Sequence, residues 1–136
     1  MNFIQTNWLL ILVLFASGAM LLWPVVQRRF GPAKDVGTLN ITHLINNQNA
    51  LLLDVRETAE YDGGHLPNAV HIPLSQLASR GGEIAKHTAR PVVAYCATGN
   101  RSRMAGGKLE KLGFSDIYNL HGGYNAWKDA GLPTEK

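Results

Sequence analysis

The stretch VVAYCATGNRS, residues 92–102, carries the strongest signal for the fold. Its first four residues, directly after Pro91, form a continuous apolar run, which is typical of a strand that is covered on both faces in a parallel sheet. The run ends at Cys96, four residues follow, and then comes Arg101. This pattern predicts a central strand, a tight loop that begins at the cysteine, and a helix that begins at Ser102.

On either side of this stretch, short apolar runs alternate with helical patterns, which indicates a parallel α/β fold. Strands are predicted at 36–39, 51–55, 69–72, 92–95 and 117–120. Helices are predicted at 41–47, with Asn40 as the cap, and at 57–61, 74–79, 83–87, 102–112 and 124–130. Gly106 and Gly107 weaken the fifth helix, and a close approach of this helix to the sheet is the simplest reason for them.

The N-terminal part of the chain differs sharply from the rest. Residues 1–27 carry no charged side chain, and 16 of the 19 residues in 8–26 are apolar. A helix of that length measures about 28 Å, which is close to the roughly 30 Å hydrocarbon core of a bilayer. Trp8 and Trp23 lie near its two ends, where aromatic rings favour the membrane interface. We therefore predict a transmembrane helix at 8–26.

A cleavable signal peptide is the alternative interpretation of this segment. It requires a basic residue before a shorter apolar core and a small-residue cleavage site after it. Here the basic residues Arg28 and Arg29 follow the apolar run instead. Because basic flanks stay in the cytoplasm, the prediction is a single-pass protein of the cell membrane with its N-terminus outside. Residues 27–35 then form a basic juxtamembrane linker.

Composition excludes several classes of protein for the remaining residues. From residue 37 onward the chain has ten basic and nine acidic residues, so most of the net charge of +3 comes from the linker and does not indicate nucleic-acid binding. A single cysteine excludes an intramolecular disulfide framework and a zinc site built on several cysteines. The histidines lack the spacing of metal ligands, so no metal is predicted.

The loop that follows the central strand is the candidate site. Loop N–H groups and the start of the next helix favour negative charge at one point, which lowers the pKa of a thiol placed there. Gly99 lets the loop curl, and Arg101 offers a permanent cation to an anionic substrate. For an isolated cysteine, a buried structural thiol is the ordinary interpretation, but the strand–Cys96–loop–Arg101–helix context favours a reactive one.

Four segments in order resemble the rhodanese family of sulfurtransferases. They are Leu53-Asp54-Val55-Arg56 with Glu60-Tyr61, Gly64-His65-Leu66-Pro67-Asn68-Ala69 with Ile72-Pro73, the loop Cys96–Arg101, and Leu120-His121-Gly122-Gly123 with Ala126-Trp127. The resemblance covers residues 36–132 and leaves a C-terminal tail at 133–136. It implies a three-layer α/β domain with a central five-stranded parallel sheet.

The resemblance also implies a mechanism. Cys96 is expected to be the nucleophile that takes the sulfane sulfur of a donor such as thiosulfate and becomes a persulfide. That sulfur then passes to cyanide or to a thiol acceptor, which can belong to a protein. The expected substrate-binding residues are those of the loop: Ala97, Thr98, Gly99, Asn100 and Arg101. No metal or organic cofactor is implied.

Two alternatives to this interpretation stay open at the level of sequence. One is an anion enzyme, a Cdc25-type phosphatase or arsenate reductase, although the phosphatase loop is Cys-x5-Arg and this chain has Cys-x4-Arg. The other is a rhodanese module without catalytic activity that docks a partner at the membrane. Asp54 and Arg56, at a strand end, are expected to hold the loops together through an ion pair and to take no part in the chemistry.

Overall fold

The computed structural model describes residues 2–30 and 32–136, which divide into two compact units. The first unit is helix α1, Phe3–Phe30. Its segment Phe3–Val26 is long and apolar enough to cross a membrane, a property that an N-terminal signal sequence shares. The helix extends past both ends of the predicted 8–26 span. Glutamine and arginine continue a helix readily beyond Val26, whereas a kink at Asn7, with φ −117° and ψ 19°, separates the residues before it. Gly31 and the side chains of the basic flank at Arg28 and Arg29 lie outside the described residues.

The second unit, residues 32–136, is built around one parallel sheet. Its strands are β1 (Lys34–Val36), β2 (Leu51–Asp54), β3 (Val70–His71), β4 (Val92–Tyr95) and β5 (Ile117–Leu120). They lie in the order β1-β5-β4-β2-β3, with every neighbouring pair parallel. The predicted five-stranded parallel sheet is therefore confirmed. Because all strands run in the same direction, their carboxyl ends share one edge, and β4 brings Cys96 to the middle of it.

Helices cover both faces of this sheet. They are α2 (Thr38–Gln48), α3 (Thr58–Asp62), α4 (Leu77–Arg80), α5 (Asn100–Leu112) and α6 (Gly123–Asp129). Short 3-10 turns lie at Leu74–Gln76, Gly81–Glu83 and Ala85–His87. They replace the first half of the helix predicted at 74–79, whose second half lies in α4, and most of the helix predicted at 83–87.

The apolar runs of the strands supply two separate cores. Alternate side chains of a strand point to opposite faces, so Ala94 and Cys96 pack in one core with Leu109 of α5. Val93 and Tyr95 pack in the other core, on the opposite face of the same strand. This arrangement explains why β4 is apolar at every position.

The first strand of the domain differs from its prediction. β1 occupies Lys34–Val36, where Lys34 pairs with Tyr118 and Val36 with Leu120. The predicted strand 36–39 is wrong beyond Val36, because Gly37 caps α2 and the helix begins at Thr38. Asn40 therefore lies inside α2 and is not its cap. Pairing with β5, which sequence periodicity does not reveal, draws Lys34 and Asp35 of the predicted linker into the strand.

Helix α5 and the C-terminal residues 133–136 both make close contacts with other parts of the domain. A Cβ at Gly106 would come within 2.9 Å of the Cβ of Ala33, so α5 approaches the segment just before β1 closely, and not the sheet as predicted; Gly107 faces open space. The predicted tail 133–136 is bound to the domain: the backbones of His65 and Glu135 exchange two hydrogen bonds of 2.8 Å. Glu135, within the predicted tail, is therefore hydrogen-bonded to the domain.

Candidate functional site

The candidate site is the turn between β4 and α5. Cys96 follows the last residue of β4, and Gly99 caps α5, which begins at Asn100. Gly99 has φ +100°, and a Cβ there would lie 3.3 Å from the carbonyl oxygen of Leu120. This conformation strongly favours glycine, as predicted. The helix begins two residues earlier than predicted, so Arg101 lies in the first turn of α5 and not in the loop.

The sulfur of Cys96 lies at the bottom of this turn, with the residue only 1% exposed. The backbone N–H of Gly99 donates a hydrogen bond to Sγ at 3.0 Å, and the hydroxyl of Ser102 lies 3.5 Å away. Burial raises the pKa of the thiol. Hydrogen bonds from the Ser102 side chain and from three backbone N–H groups of the turn outweigh burial, so the pKa lies below its ordinary value. The turn therefore favours a thiolate, as predicted.

Helix α6 holds the other side of the turn. The N–H of Tyr124 donates to the carbonyl oxygen of Cys96 at 2.7 Å, and that of Asn125 donates to Ala97 at 3.1 Å. Because the N–H and C=O of a trans peptide point in opposite directions, these bonds turn the loop N–H groups away from α6. A Cβ at Gly123 would collide with the carbonyl oxygen of Cys96, so this contact requires glycine.

A buried polar chain that sequence reasoning missed supports the turn from β5. Ser102 Oγ also lies within hydrogen-bond distance of Oδ1 of Asn119, so its single proton can be donated either to that oxygen or to the sulfur. The amide nitrogen of Asn119 donates to Asp35 Oδ1 at 2.8 Å and to the carbonyl oxygen of Gly99 at 3.1 Å. The only signal for Asn119 in the sequence is a polar residue within a strand that is otherwise apolar or aromatic. The chain holds Ser102 beside the sulfur and fixes the Gly99 peptide.

Arg101 does not present a free charge. Its guanidinium donates to both carboxylate oxygens of Glu60, at 2.7 and 2.9 Å. Hydrogen bonding from Arg101, the largest influence, lowers the pKa of Glu60 to about 2. The two residues are 41 positions apart in the chain, so their spacing contains no indication of this pair.

The Asp54–Arg56 ion pair is confirmed. Arg56 donates to Asp54 Oδ2 and to the carbonyl oxygen of Gly64, each at 2.7 Å, and both side chains are buried. The guanidinium of Arg56 also lies 4.3 Å from the ring centroid of Tyr124, at the start of α6. The pair thus joins the end of β2 to the helix that supports the Cys96 turn.

The remaining predicted site residues line the outer side of the turn. Ala97 is half-buried, whereas Thr98 and Asn100 are exposed. The structure therefore brings all six predicted residues, Cys96 to Arg101, to one place at the carboxyl edge of the sheet. Their roles in binding a substrate stay predictions.

A parallel α/β domain whose central strand ends at a thiol, held by amide N–H groups before a helix, belongs to the class of cysteine-loop domains. The model of the rhodanese-like domain matches residues 40–130 of the chain. The chain therefore belongs to the rhodanese-like family, as its motifs predicted.

Individual relatives agree with this membership. The chain is 48% identical over 80 residues to the uncharacterised protein YqhL of Bacillus subtilis, a match that spans 59% of this chain and 62% of that protein. It is 30% identical over 95 residues to the thiosulfate sulfurtransferase GlpE of Coxiella burnetii, spanning 70% and 87%. A rhodanese-related protein from Thermoplasma volcanium superposes with a TM-score of 0.66 at 27% identity, covering 75% of this chain and 97% of that one.

Proposed function

We propose that this protein transfers sulfane sulfur through a persulfide on Cys96. The thiolate attacks the sulfane sulfur of a donor, a new S–S bond forms at Cys96, and the bond between that sulfur and the rest of the donor breaks. With thiosulfate, the electron pair of the broken bond leaves with sulfite, and the negative charge of the thiolate moves to the outer sulfur of the persulfide. Attack by cyanide or a thiol on this outer sulfur then regenerates the Cys96 thiolate.

The observation that carries the proposal is the set of N–H groups around Sγ. The Gly99 N–H is 3.0 Å from the sulfur, and the loop carbonyls at Cys96 and Ala97 are turned toward α6. N–H groups that are fixed in this way stabilise negative charge on sulfur without reorganisation during the reaction. The same N–H groups, from Ala97 to Arg101, are proposed to hold the terminal sulfur of the persulfide.

The direct test is mass spectrometry of the full chain in detergent after treatment with thiosulfate. We expect one added sulfur atom on Cys96, removed again by cyanide with formation of thiocyanate. The Cys96→Ala variant, which has no other thiol, serves as the control and should gain no sulfur. An unmodified parent protein would favour the docking module, and turnover of an aryl phosphate or arsenate would favour the anion enzyme.

We further propose that α1 anchors the protein in the cell membrane, with the domain in the cytoplasm. The proposal rests on the apolar segment Phe3–Val26 and on the basic residues that follow it. The protein should stay in the membrane fraction after carbonate extraction, and protease added to intact cells should leave the domain undigested. Digestion of the domain from outside would show that the orientation is the opposite one. Release by carbonate would indicate a cleaved signal sequence.

A further inference from the structure

The charge balance at the mouth of the Cys96 turn bears on which donors fit. Arg101 and Glu60 form a two-pronged ion pair, and their side chains are 37% and 35% exposed. Arg103, the next cation along α5, donates to Asp35 Oδ2 at 2.8 Å. Both arginines in the first turn of α5 are therefore paired with carboxylates. An incoming anion meets two neutral pairs there and no unpaired arginine.

The position of Glu60 is set by its own helix. Its carboxylate accepts a hydrogen bond from the N–H of Glu57 at 3.3 Å, as part of the capping box that begins α3. The carboxylate is thus held in place by two elements, α3 and α5. Because the pKa of Glu60 is about 2, it stays ionised throughout the neutral pH range. The charge of Arg101 is accordingly compensated at neutral pH.

Arg101 is also close to the reacting atom. Arg101 is the second residue of α5, and the residue that caps this helix, Gly99, donates its N–H to the Cys96 sulfur at 3.0 Å. A donor whose sulfane sulfur approaches Cys96 therefore places its remaining charge near both members of the Arg101–Glu60 pair. For a dianion, repulsion from the carboxylate and from the thiolate is about twice that for a monoanion of the same shape.

We propose that Glu60 is a specificity-determining residue that disfavours dianionic donors such as thiosulfate and favours donors of lower charge. This inference rests on the proposed sulfur transfer. The favoured class is a sulfane sulfur bonded to an organic group, as in an organic persulfide or a thiosulfonate. With methanethiosulfonate, the Cys96 thiolate takes the sulfane sulfur, the electron pair leaves with methanesulfinate, and the persulfide keeps one negative charge. The chemistry matches the thiosulfate reaction in all but the charge of donor and leaving group.

The test compares thiosulfate with methanethiosulfonate in the full chain and in Glu60→Gln. Glutamine keeps the oxygen that caps α3 and removes one negative charge. We expect the ratio of kcat/KM for thiosulfate to that for methanethiosulfonate to rise on the order of tenfold. In Glu60→Gln with Arg101→Gln, the ratio should fall back toward its original value, because the gain comes from the uncompensated arginine.

Glu83→Gln is the matched control. Glu83 forms the same kind of two-pronged pair with Arg80, and both side chains are exposed. Among the described residues, neither side chain is hydrogen-bonded to the Cys96 turn. The substitution of Glu83 should leave the ratio unchanged. An equal change for both donors in Glu60→Gln would overturn the inference, since Glu60 then only supports the loop. Failure of the unaltered chain to transfer sulfur from either donor would instead overturn the proposed function, and this inference with it.

A measurement on the unaltered chain guards against a variant that does not fold. Salt screens an unpaired cation, so a free Arg101 would make kcat/KM fall with ionic strength more steeply for the dianion than for the monoanion. We expect no steeper fall for thiosulfate than for methanethiosulfonate. A steeper fall would show that Arg101 acts as a free cation, and the inference would be wrong.

Discussion

Replacing Cys96 with alanine is expected to lower kcat/KM for sulfur transfer from any donor by at least about 10³-fold, because the covalent route is lost with the nucleophile. The chain has one cysteine, so no second thiol can take over its role. Serine at the same position should be about as inactive, because its hydroxyl is far less acidic than a thiol. The measurement is thiocyanate formation from thiosulfate and cyanide.

The two Cys96 variants should keep their fold. The position is buried against apolar neighbours that alanine also tolerates, so thermal unfolding of Cys96→Ala should stay close to that of the parent. Loss of activity together with an unchanged unfolding curve assigns the chemistry to the thiol. Residual transfer in a folded Cys96→Ala protein would contradict the persulfide mechanism.

Asp54→Ala is expected to destabilise the domain more than any of the other substitutions. Arg56 is only 3% exposed and its guanidinium rests on the Asp54 carboxylate. Removal of one partner leaves a buried, uncompensated charge, which costs about 3–5 kcal/mol of unfolding free energy. For a domain of this size, that loss should lower the melting temperature by roughly 10 °C or more. Thermal and urea unfolding of the full chain in detergent measure it.

A control for Asp54→Ala is Glu83→Ala, which breaks the exposed ion pair with Arg80. Solvent screens that pair and hydrates the freed arginine, so stability should hardly change. If the two variants unfold alike, burial does not determine the strength of the Asp54–Arg56 pair. If Asp54→Ala unfolds normally but loses sulfur transfer, the carboxylate belongs to the chemistry, and its assignment to structure would be wrong.

The sequence predicted best those strands in which successive residues are all buried, because the need for apolar side chains is then visible in the local sequence. β4 and β5 were predicted with their observed bounds. Both are short runs that lie between two cores, so burial demands apolar side chains at most positions. β1 was missed because Lys34 and Asp35 are exposed. Their strand conformation comes from hydrogen bonds to β5, a partner more than 80 residues away.

In the site, too, some features follow from local sequence and others depend on partners that are distant in the chain. The amino-acid sequence by itself predicted the candidate nucleophile, its loop and the family, because Cys96, Gly99 and Arg101 are neighbours in the chain and their spacing sets the turn. Only the tertiary structure decided what surrounds them. Glu60 neutralises Arg101 and Asn119 holds Ser102 because parallel strands bring their carboxyl ends to one edge. Charge compensation acts through space, so it depends on which strands are neighbours, and that order is not written in local sequence.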